Sequence, residues 1–407
     1  MGFQQHNPTH LAQSPESICL NRQGPSSDGA PLVPSIAQST TFQRSGVGSN
    51  PEHQYSRVSN PSVALLESTL GNLEDAPAGV CFGTGLAAET ALFLSLLRSG
   101  DHVVCGRGVY GGTTRLFQQL LSPYGIECTF VDSTDTDEVR RAVQPNTELL
   151  FVETPANPTL DLTDIRACAE IAKEAGVTLA VDNTFLTPVL QRPLDHGADV
   201  SVYSTTKFID GHSVALGGAL VSKDQGLLDR IRFIRKCTGA IQSPLNAWLT
   251  LNGLKTLPLR MRAQSRSAAE ISAWLLQHDA IERVCHPSLA TGDDAAIAER
   301  QHLGEHGAVV SFSIKGGYDA ACRFVSSLSM CTLVEHVGSV ETLITHPASM
   351  THADVPRDQR TDVGISDGLL RLSVGLEPAE ELIADLRQAL ACTVTTSGAR
   401  EGVPAHA

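Results

Sequence analysis

The stretch Val200-Ser201-Val202-Tyr203-Ser204-Thr205-Thr206-Lys207 starts as an apolar run and ends in three hydroxyl side chains and a lysine. The first four residues read as a buried strand. A lysine at the end of such a strand, flanked by hydroxyls, suits one task. It can hold an aldehyde cofactor as a Schiff base while Ser204 and Thr206 hydrogen-bond a phosphate. Asp182 closes a second apolar run, Thr178-Leu179-Ala180-Val181. A carboxylate there can face the ring nitrogen of pyridoxal phosphate and keep it protonated, which makes the ring an electron sink. Singly, Lys207 also suits a surface lysine after a strand, and Asp182 an aspartate satisfied in a turn. Together they favour the cofactor.

Outward from this stretch the chain keeps one rhythm. Strand-like runs recur at 102–105, 128–131, 149–152, 179–181 and 200–203, and a last one, Gly218-Ala219-Leu220-Val221, follows the lysine. Helical spacing fills the gaps, as in 63–73, 86–97, 114–121 and 165–175. Strands alternating with helices predict an α/β fold with a mostly parallel central sheet and helices on both faces. Residues 227–280 read as mainly helical. From Val309 to Leu390 strands mix with helices, which predicts a smaller C-terminal α+β domain. The expected division is an N-terminal arm over 1–60, a large cofactor-binding domain over 61–260, a small domain over 261–392 and a disordered tail over 393–407. Residues 1–30, rich in Gln, Ser, Pro and Gly, read as flexible.

Bulk properties narrow the function. A chain of 407 residues holds a large core and two domains. Its net charge of -14 argues against nucleic acid or an anionic membrane as partner. No apolar stretch is long enough to span a bilayer, and the N-terminus lacks the basic-then-apolar pattern of a signal peptide. The ten cysteines stand singly, without a CxxC pair. That suits reduced thiols in the cytoplasm and argues against a metal site.

Other motifs fall beyond the carboxyl ends of the strands, where an α/β sheet places its ligands. Thr84, Gly85 and Leu86 open a helix whose N–H groups and dipole suit a phosphate. Gly83-x-Gly85 lacks the third glycine of a dinucleotide fingerprint, with Ala88 and Glu89 in its place. Tyr110, before Gly111-Gly112-Thr113, can stack on a ring or pack in a loop. Asn157, in Glu153-Thr154-Pro155-Ala156-Asn157-Pro158, can bond the cofactor's phenolic oxygen.

With these residues in place, the chain resembles the Cys/Met-metabolism enzymes that use pyridoxal phosphate, from about residue 31 to 391. The group includes cystathionine γ-synthase and γ-lyase, methionine γ-lyase and the O-acylhomoserine sulfhydrylases. The resemblance is carried by Tyr55-Ser56-Arg57-Val58-Ser59-Asn60-Pro61, Tyr110-Gly111-Gly112-Thr113, Glu153-Thr154-Pro155, Val181-Asp182-Asn183-Thr184-Phe185 and Ser204-Thr205-Thr206-Lys207. It continues through His346-Pro347-Ala348-Ser349-Met350-Thr351-His352 and Arg371-Leu372-Ser373-Val374-Gly375. It implies a fold-type I transferase architecture. It also implies that Lys207 binds the cofactor and shuttles protons, that Asp182 pairs with the ring nitrogen, and that Tyr110 stacks on the ring and assists at the leaving group. Thr84, Gly85, Leu86, Ser204 and Thr206 would line the phosphate cup, and Tyr55 and Arg57 would reach it from a neighbouring subunit. Arg371 would bind the substrate α-carboxylate.

Departures from the resemblance bear on the substrate. Methionine γ-lyases typically carry Cys where this chain has Gly112, and Lys-Asp where it has Lys236-Cys237. Val214 replaces an aspartate, Asn252 an arginine and His336 a serine. Glu335 stands where the cystathionine enzymes carry Glu, so Glu335 and His336 are the expected substrate-selecting pair. The chain reads as a cytoplasmic homotetramer of dimers with shared active sites. Its expected reaction is γ-elimination or γ-replacement on cystathionine or an O-acylhomoserine in transsulfuration. An O-acylhomoserine sulfhydrylase is the alternative, ahead of a methionine γ-lyase. A non-catalytic homologue used for binding is disfavoured because no expected catalytic residue is missing. The failed glycine fingerprint counts against a NAD-dependent dehydrogenase.

Overall fold

In the computed structural model, which describes residues 13–20, 28–29, 31–353 and 357–393, the apolar runs around Lys207 assemble into one seven-stranded sheet. In chain order its strands are β1 (Val80–Phe82), β2 (His102–Gly106), β3 (Glu127–Val131), β4 (Thr147–Glu153), β5 (Thr178–Asp182), β6 (Val200–Tyr203) and β7 (Gly218–Val221). They lie in the order β1-β7-β6-β5-β4-β2-β3. β7 runs antiparallel to both of its neighbours and the other pairs are parallel.

The central strands are apolar on both faces because both faces are covered. Leu149 and Phe151 of β4 join one core with Phe93, Phe117 and Val202. Leu150 and Val152 turn the other way, into a core with Ile165, Cys168 and Ile171. Alternation by two along one strand thus feeds two separate cores. Local chemistry sets the helix ends. Asn60 caps the helix Pro61–Leu73 by accepting from Ser62 N at 2.9 Å, with proline in its first position. Asp164 caps Ile165–Ala175, which stops at Gly176 in the left-handed region, φ 71°.

The second sheet has the strands β8 (Ile281–Cys285), β9 (Val309–Ile314), β10 (Thr332–Leu333), β11 (Leu343–Thr345) and β12 (Leu369–Ser373). Its order is β10-β11-β12-β9-β8, antiparallel except between β10 and β11. Phe312, Leu370, Leu372, Phe324 and Leu386 form its core. The expected boundary between residues 260 and 261 falls inside a single helix, Leu257–Leu276. Leu257 and Met261 pack into a large-domain core, while Ile271 and Leu275 pack into the small-domain core. One helix therefore ties the two cores together.

The arm differs from its expectation at one point. Residues 15–20 form a helix, with Cys19 buried in the core of Val63 and Leu66, and Glu16 paired with Arg262. The buried thiol and the ion pair dock a segment whose composition reads as flexible. Residues 1–12 and 21–27 of the arm, and 394–407 of the expected tail, lie outside the described residues.

Candidate active site

At the carboxyl ends of β4, β5 and β6 a cavity of about 550 Å³ opens between the two domains. Ten of the predicted residues line it: Thr84, Gly85, Leu86, Tyr110, Asn157, Asp182, Ser204, Thr206, Lys207 and Arg371, with Glu335 at the same wall. His336, Tyr55 and Arg57 do not line it. Arg57 donates to Lys236 O at 2.8 Å and lies 5.5 Å from the centre of the Tyr55 ring.

The phosphate end is built by a helix start pressed against a strand end. Thr84 is the N-cap of Gly85–Leu96, and its hydroxyl accepts from Ala87 N at 3.0 Å. A Cβ on Gly85 would lie 3.0 Å from Ser204 Cβ, so glycine is what lets Ser204 approach the helix N-terminus. Ser204 N is fixed on Thr184 Oγ1 at 2.8 Å. The Thr206 hydroxyl donates to Gly217 O at 3.1 Å and accepts from Gly217 N at 3.0 Å.

The opposite end holds buried acids. Asp182 and Glu153 are partners in register on adjacent strands. Asp182 accepts from Thr184 N at 2.9 Å, and burial still raises it to about 6. Glu153 accepts from Tyr110 N at 2.7 Å, and burial together with Asp182 holds it well above the usual carboxyl range. Glu89 accepts from Thr113 Oγ1 at 2.7 Å and is raised to about 8 by burial and by Asp182. Three carboxyls thus crowd one end of the cavity, and like charges in low dielectric favour the neutral forms. A cationic ring nitrogen placed among them would supply the missing counter-charge.

Lys207 lies between these ends. Burial, with Arg371 next in effect, lowers its amine to about 8. Near neutral pH a useful fraction is therefore unprotonated and nucleophilic. Arg371, on β12, is 3% exposed and donates to Asn157 Oδ1 at 2.8 Å, His336 O at 3.2 Å and Thr345 Oγ1 at 3.1 Å. Its Nε is buried without a partner among the described residues. A buried guanidinium with an unmet donor suits a carboxylate ligand. Because Asn157 spends its oxygen on Arg371, its NH2 is the part left to donate. The donor set fits pyridoxal phosphate: the Ser204 hydroxyl and a helix N-terminus for the phosphate, with Thr206 able to join by turning its hydroxyl from Gly217 O, an amine for the aldehyde, and acids for the ring nitrogen.

His336 is where geometry departs from the expectation. Its imidazole does not line the cavity, although it lies close enough to Arg371 to feel its charge. Instead Nδ1 lies 3.3 Å from Lys207 Nζ. Gly112 also gains a reason: a Cβ there would lie 2.4 Å from Tyr110 Cε1, so a larger residue would move the ring. Val214 and Asn252 stand away from the cavity. Asn252 is engaged with Trp248 O and Lys255 Nζ.

Sequence reasoning missed Glu89 and Arg115, both cavity-lining. The lone charge in the otherwise uncharged run Leu86–Leu97 was the available signal for Glu89; Arg115 gave none. Also missed was a strap beneath the site. Gln191 Nε2 donates to Thr154 O and to Asn183 Oδ1, both at 3.0 Å. Asn183 Nδ2 donates to Tyr203 Oη at 3.1 Å, and Tyr203 Oη donates to Glu74 Oε1 at 2.6 Å. The chain of bonds joins the ends of β4, β5 and β6 from below. Glu74, fully buried, is raised to about 7 by that burial.

The sequence matches the family model described as Cys/Met metabolism PLP-dependent enzyme over residues 18–391. It is 42% identical over 367 residues to a cystathionine gamma-lyase of Bacillus subtilis (strain 168), covering 90% of this chain and 96% of that protein. It is also 42% identical over 344 residues to an O-succinylhomoserine sulfhydrylase of Pseudomonas aeruginosa, covering 84% and 85%. Among solved structures it resembles a cystathionine gamma synthase from Xanthomonas oryzae pv. oryzae, in complex with aminoacrylate and cysteine. That match has a TM-score of 0.90, 40% identity, and coverage of 94% of this chain and 98% of the other.

Proposed function

The chain belongs to the Cys/Met metabolism PLP-dependent enzymes, and on that premise we propose that it cleaves or replaces the γ-substituent of cystathionine or an O-acylhomoserine. The observation that carries the reading is the single cavity shared by Lys207, Asp182, Tyr110, Arg371 and Glu335. Pyridoxal phosphate, when bound, supplies the electron sink that makes a proton on the substrate's α-carbon acidic.

The chain's own groups do the rest. Asp182 would hold the ring nitrogen protonated. Ser204, Thr206 and the N-terminus of Gly85–Leu96 would hold the phosphate. Arg371 fixes the α-carboxylate and so aims the α-carbon at Lys207. The Lys207 amine removes the α-proton, and later moves protons at the β-carbon. Tyr110 lines the same cavity, where it would lie against the ring and could give a proton toward the departing γ-group. Glu335, exposed at the cavity wall, suits the distal ammonium of cystathionine, a group that methionine lacks. The sulfhydrylase reading stands second, supported by the similarity to the Pseudomonas aeruginosa enzyme.

Tyr55 and Arg57 are assigned to a neighbouring subunit's phosphate cup, in a homotetramer built of such dimers. Leu32, Val33 and Ile36, exposed within five residues in the segment before them, support an interface there. The ten unpaired thiols suit the cytoplasm.

Two experiments test these readings. Incubation with cystathionine, and with each O-acylhomoserine plus cysteine or sulfide, followed by mass identification of products, decides the reaction; no product from any of them removes the proposal. Mixing Arg57→Ala with Lys207→Ala chains should restore some activity, since one site of a hybrid dimer keeps both residues. Verified hybrids without recovery would rule out the shared site.

A further inference from the structure

The steps above leave one neighbour of Lys207 without a task, the imidazole of His336. The loop that carries it comes down onto the lysine's own backbone. A Cβ on Gly338 would lie 2.5 Å from Phe208 N and 2.9 Å from Lys207 C, and Gly338 has φ +88°, so only glycine suits this approach. Gly338 N is held by Ser373 Oγ at 2.8 Å. The loop is thereby locked between β12 and the lysine, with His336 O on Arg371 and His336 Nδ1 at 3.3 Å from Nζ.

The chemistry of this pair runs one way. When Nζ is an ammonium, with three donors and no acceptor, Nδ1 accepts and the ring hydrogen sits on Nε2, a buried atom without a partner among the described residues. Burial, Lys207 and Arg371 all disfavour a charged ring and lower His336 to about 4. The imidazole therefore stays a neutral acceptor at working pH.

We propose that His336 is a positioning residue for Lys207, its Nδ1 accepting a hydrogen bond from the free amine and holding the ammonium form between proton uptake and proton delivery. The inference rests on the reading of Lys207 as the cofactor's lysine. Proton accounting is closed. The lone pair of Nζ takes one proton and the amine becomes –NH3+. One N–H points at Nδ1, another gives its proton up, and His336 is unchanged at the end. Arg371 and burial push the amine toward neutrality, while His336 opposes them by stabilising the charged form. The other ionisable groups around the amine are Glu89, Tyr110, Arg115, Glu153, Asp182 and Glu335. All remain in place when only His336 is changed.

The test reads cofactor capture and not turnover. Apoprotein is mixed with pyridoxal phosphate across a pH series, and the rate of growth of a visible band bleached by borohydride is followed. Wild type is compared with His336→Asn, which keeps an acceptor, and His336→Phe, which has none. In His336→Phe the midpoint of the pH dependence should fall by about one unit, a tenfold change in the amine's proton affinity. His336→Asn should return most of that shift. Should the phenylalanine variant fail to fold, His336→Leu takes its place. Equal midpoints in the wild type and the variant without an acceptor overturn the inference, as does an asparagine variant displaced as far as phenylalanine. A wild type that forms no such band, or a Lys207→Ala protein that does, would instead overturn the assignment of the lysine.

Discussion

Two groups of buried or half-buried ionisable side chains, beside single ones such as Glu74 and Arg260, are built differently. One is the carboxyl group of Glu89, Glu153 and Asp182 at the strand ends. The other is a histidine group near the seam of the domains: His196, His286, His302 and His306. Burial discharges both, raising the acids and lowering the histidines, with His286 at about 4 and His302 at about 3. His196 and His306 are lowered by the same cause. The histidines, however, bond one another or neighbouring protein groups, although His196 Nδ1 and His302 Nε2 are buried without a partner among the described residues. His302 and His306 meet at 3.0 Å between their Nδ1 atoms, and His286 bonds Ser288 Oγ at 2.7 Å and Gly307 O at 3.1 Å. The acids line an open cavity. A buried neutral group facing packed protein belongs to the core, while three acids facing an empty volume point to a ligand that brings positive charge.

The hardest blow to that distinction is Lys207→Ala. Turnover should fall by several orders of magnitude and the visible band of the resting enzyme should vanish, because one residue both anchors the cofactor and carries protons. Retention of a borohydride-reducible link in the variant would move the anchor elsewhere. Next in size is Asp182→Asn against His302→Leu. The first should cost ~10²–10³ in kcat through lost charge stabilisation, the second no more than a few-fold. Comparable losses in steady-state assays would erase the contrast between ligand site and core.

Glu335→Ala sharpens the comparison within the cavity. It should lower kcat/KM for cystathionine roughly ten- to a hundred-fold more than for a γ-substituted substrate without a distal amine, the value of one charged contact of about 1.5–3 kcal/mol. Equal effects on both would promote the sulfhydrylase reading.

The smallest expected effect is a slope. A histidine whose folded value lies below its free value of 6.5 stabilises the fold fully above that value. The contribution is lost as pH falls toward the folded value, at about 3 for His302. Each such histidine costs up to about 1.4 kcal/mol per pH unit across that window. The acids act oppositely: their folded values are raised, so the contribution is complete below 3.8 for Asp182 and 4.5 for Glu89, and is lost as pH rises toward about 6 and about 8 respectively. Urea denaturation at pH values from about 7 to 4 should therefore show a steeper acid loss in the wild type than in His302→Leu. Identical slopes would mean that other groups carry the acid limb. Adding pyridoxal phosphate should stabilise the alkaline side more than the acid side, since it places positive charge among the acids.

The strand that carries Lys207 was legible to the residue, 200–203, as was the last strand, 218–221. Both are short apolar runs with sharp polar ends, and motifs at strand ends are local in sequence. Lys207, Asp182 and Thr84 could be found for that reason. The pairing of His336 with Lys207 could not, because 129 residues separate them. Nor could the histidine group, whose members lie on different elements. The antiparallel direction of β7 and the docking of residues 15–20 also depend on distant partners. Glu89 left only a faint mark, a lone charge in an uncharged helix.

The strap from Gln191 through Asn183 and Tyr203 to Glu74 has a consequence for how such an enzyme can change over generations. It fastens the strand ends that bear Asp182 and precede Lys207 entirely within the large domain. Arg371, Glu335 and His336 come from the other domain. Substitutions in the small-domain loop can therefore trade one amino-acid substrate for another while the spacing of lysine and aspartate is inherited intact. Substitutions in the strap would damage every substrate's turnover alike, so drift should collect in the loop and be purged from the strap.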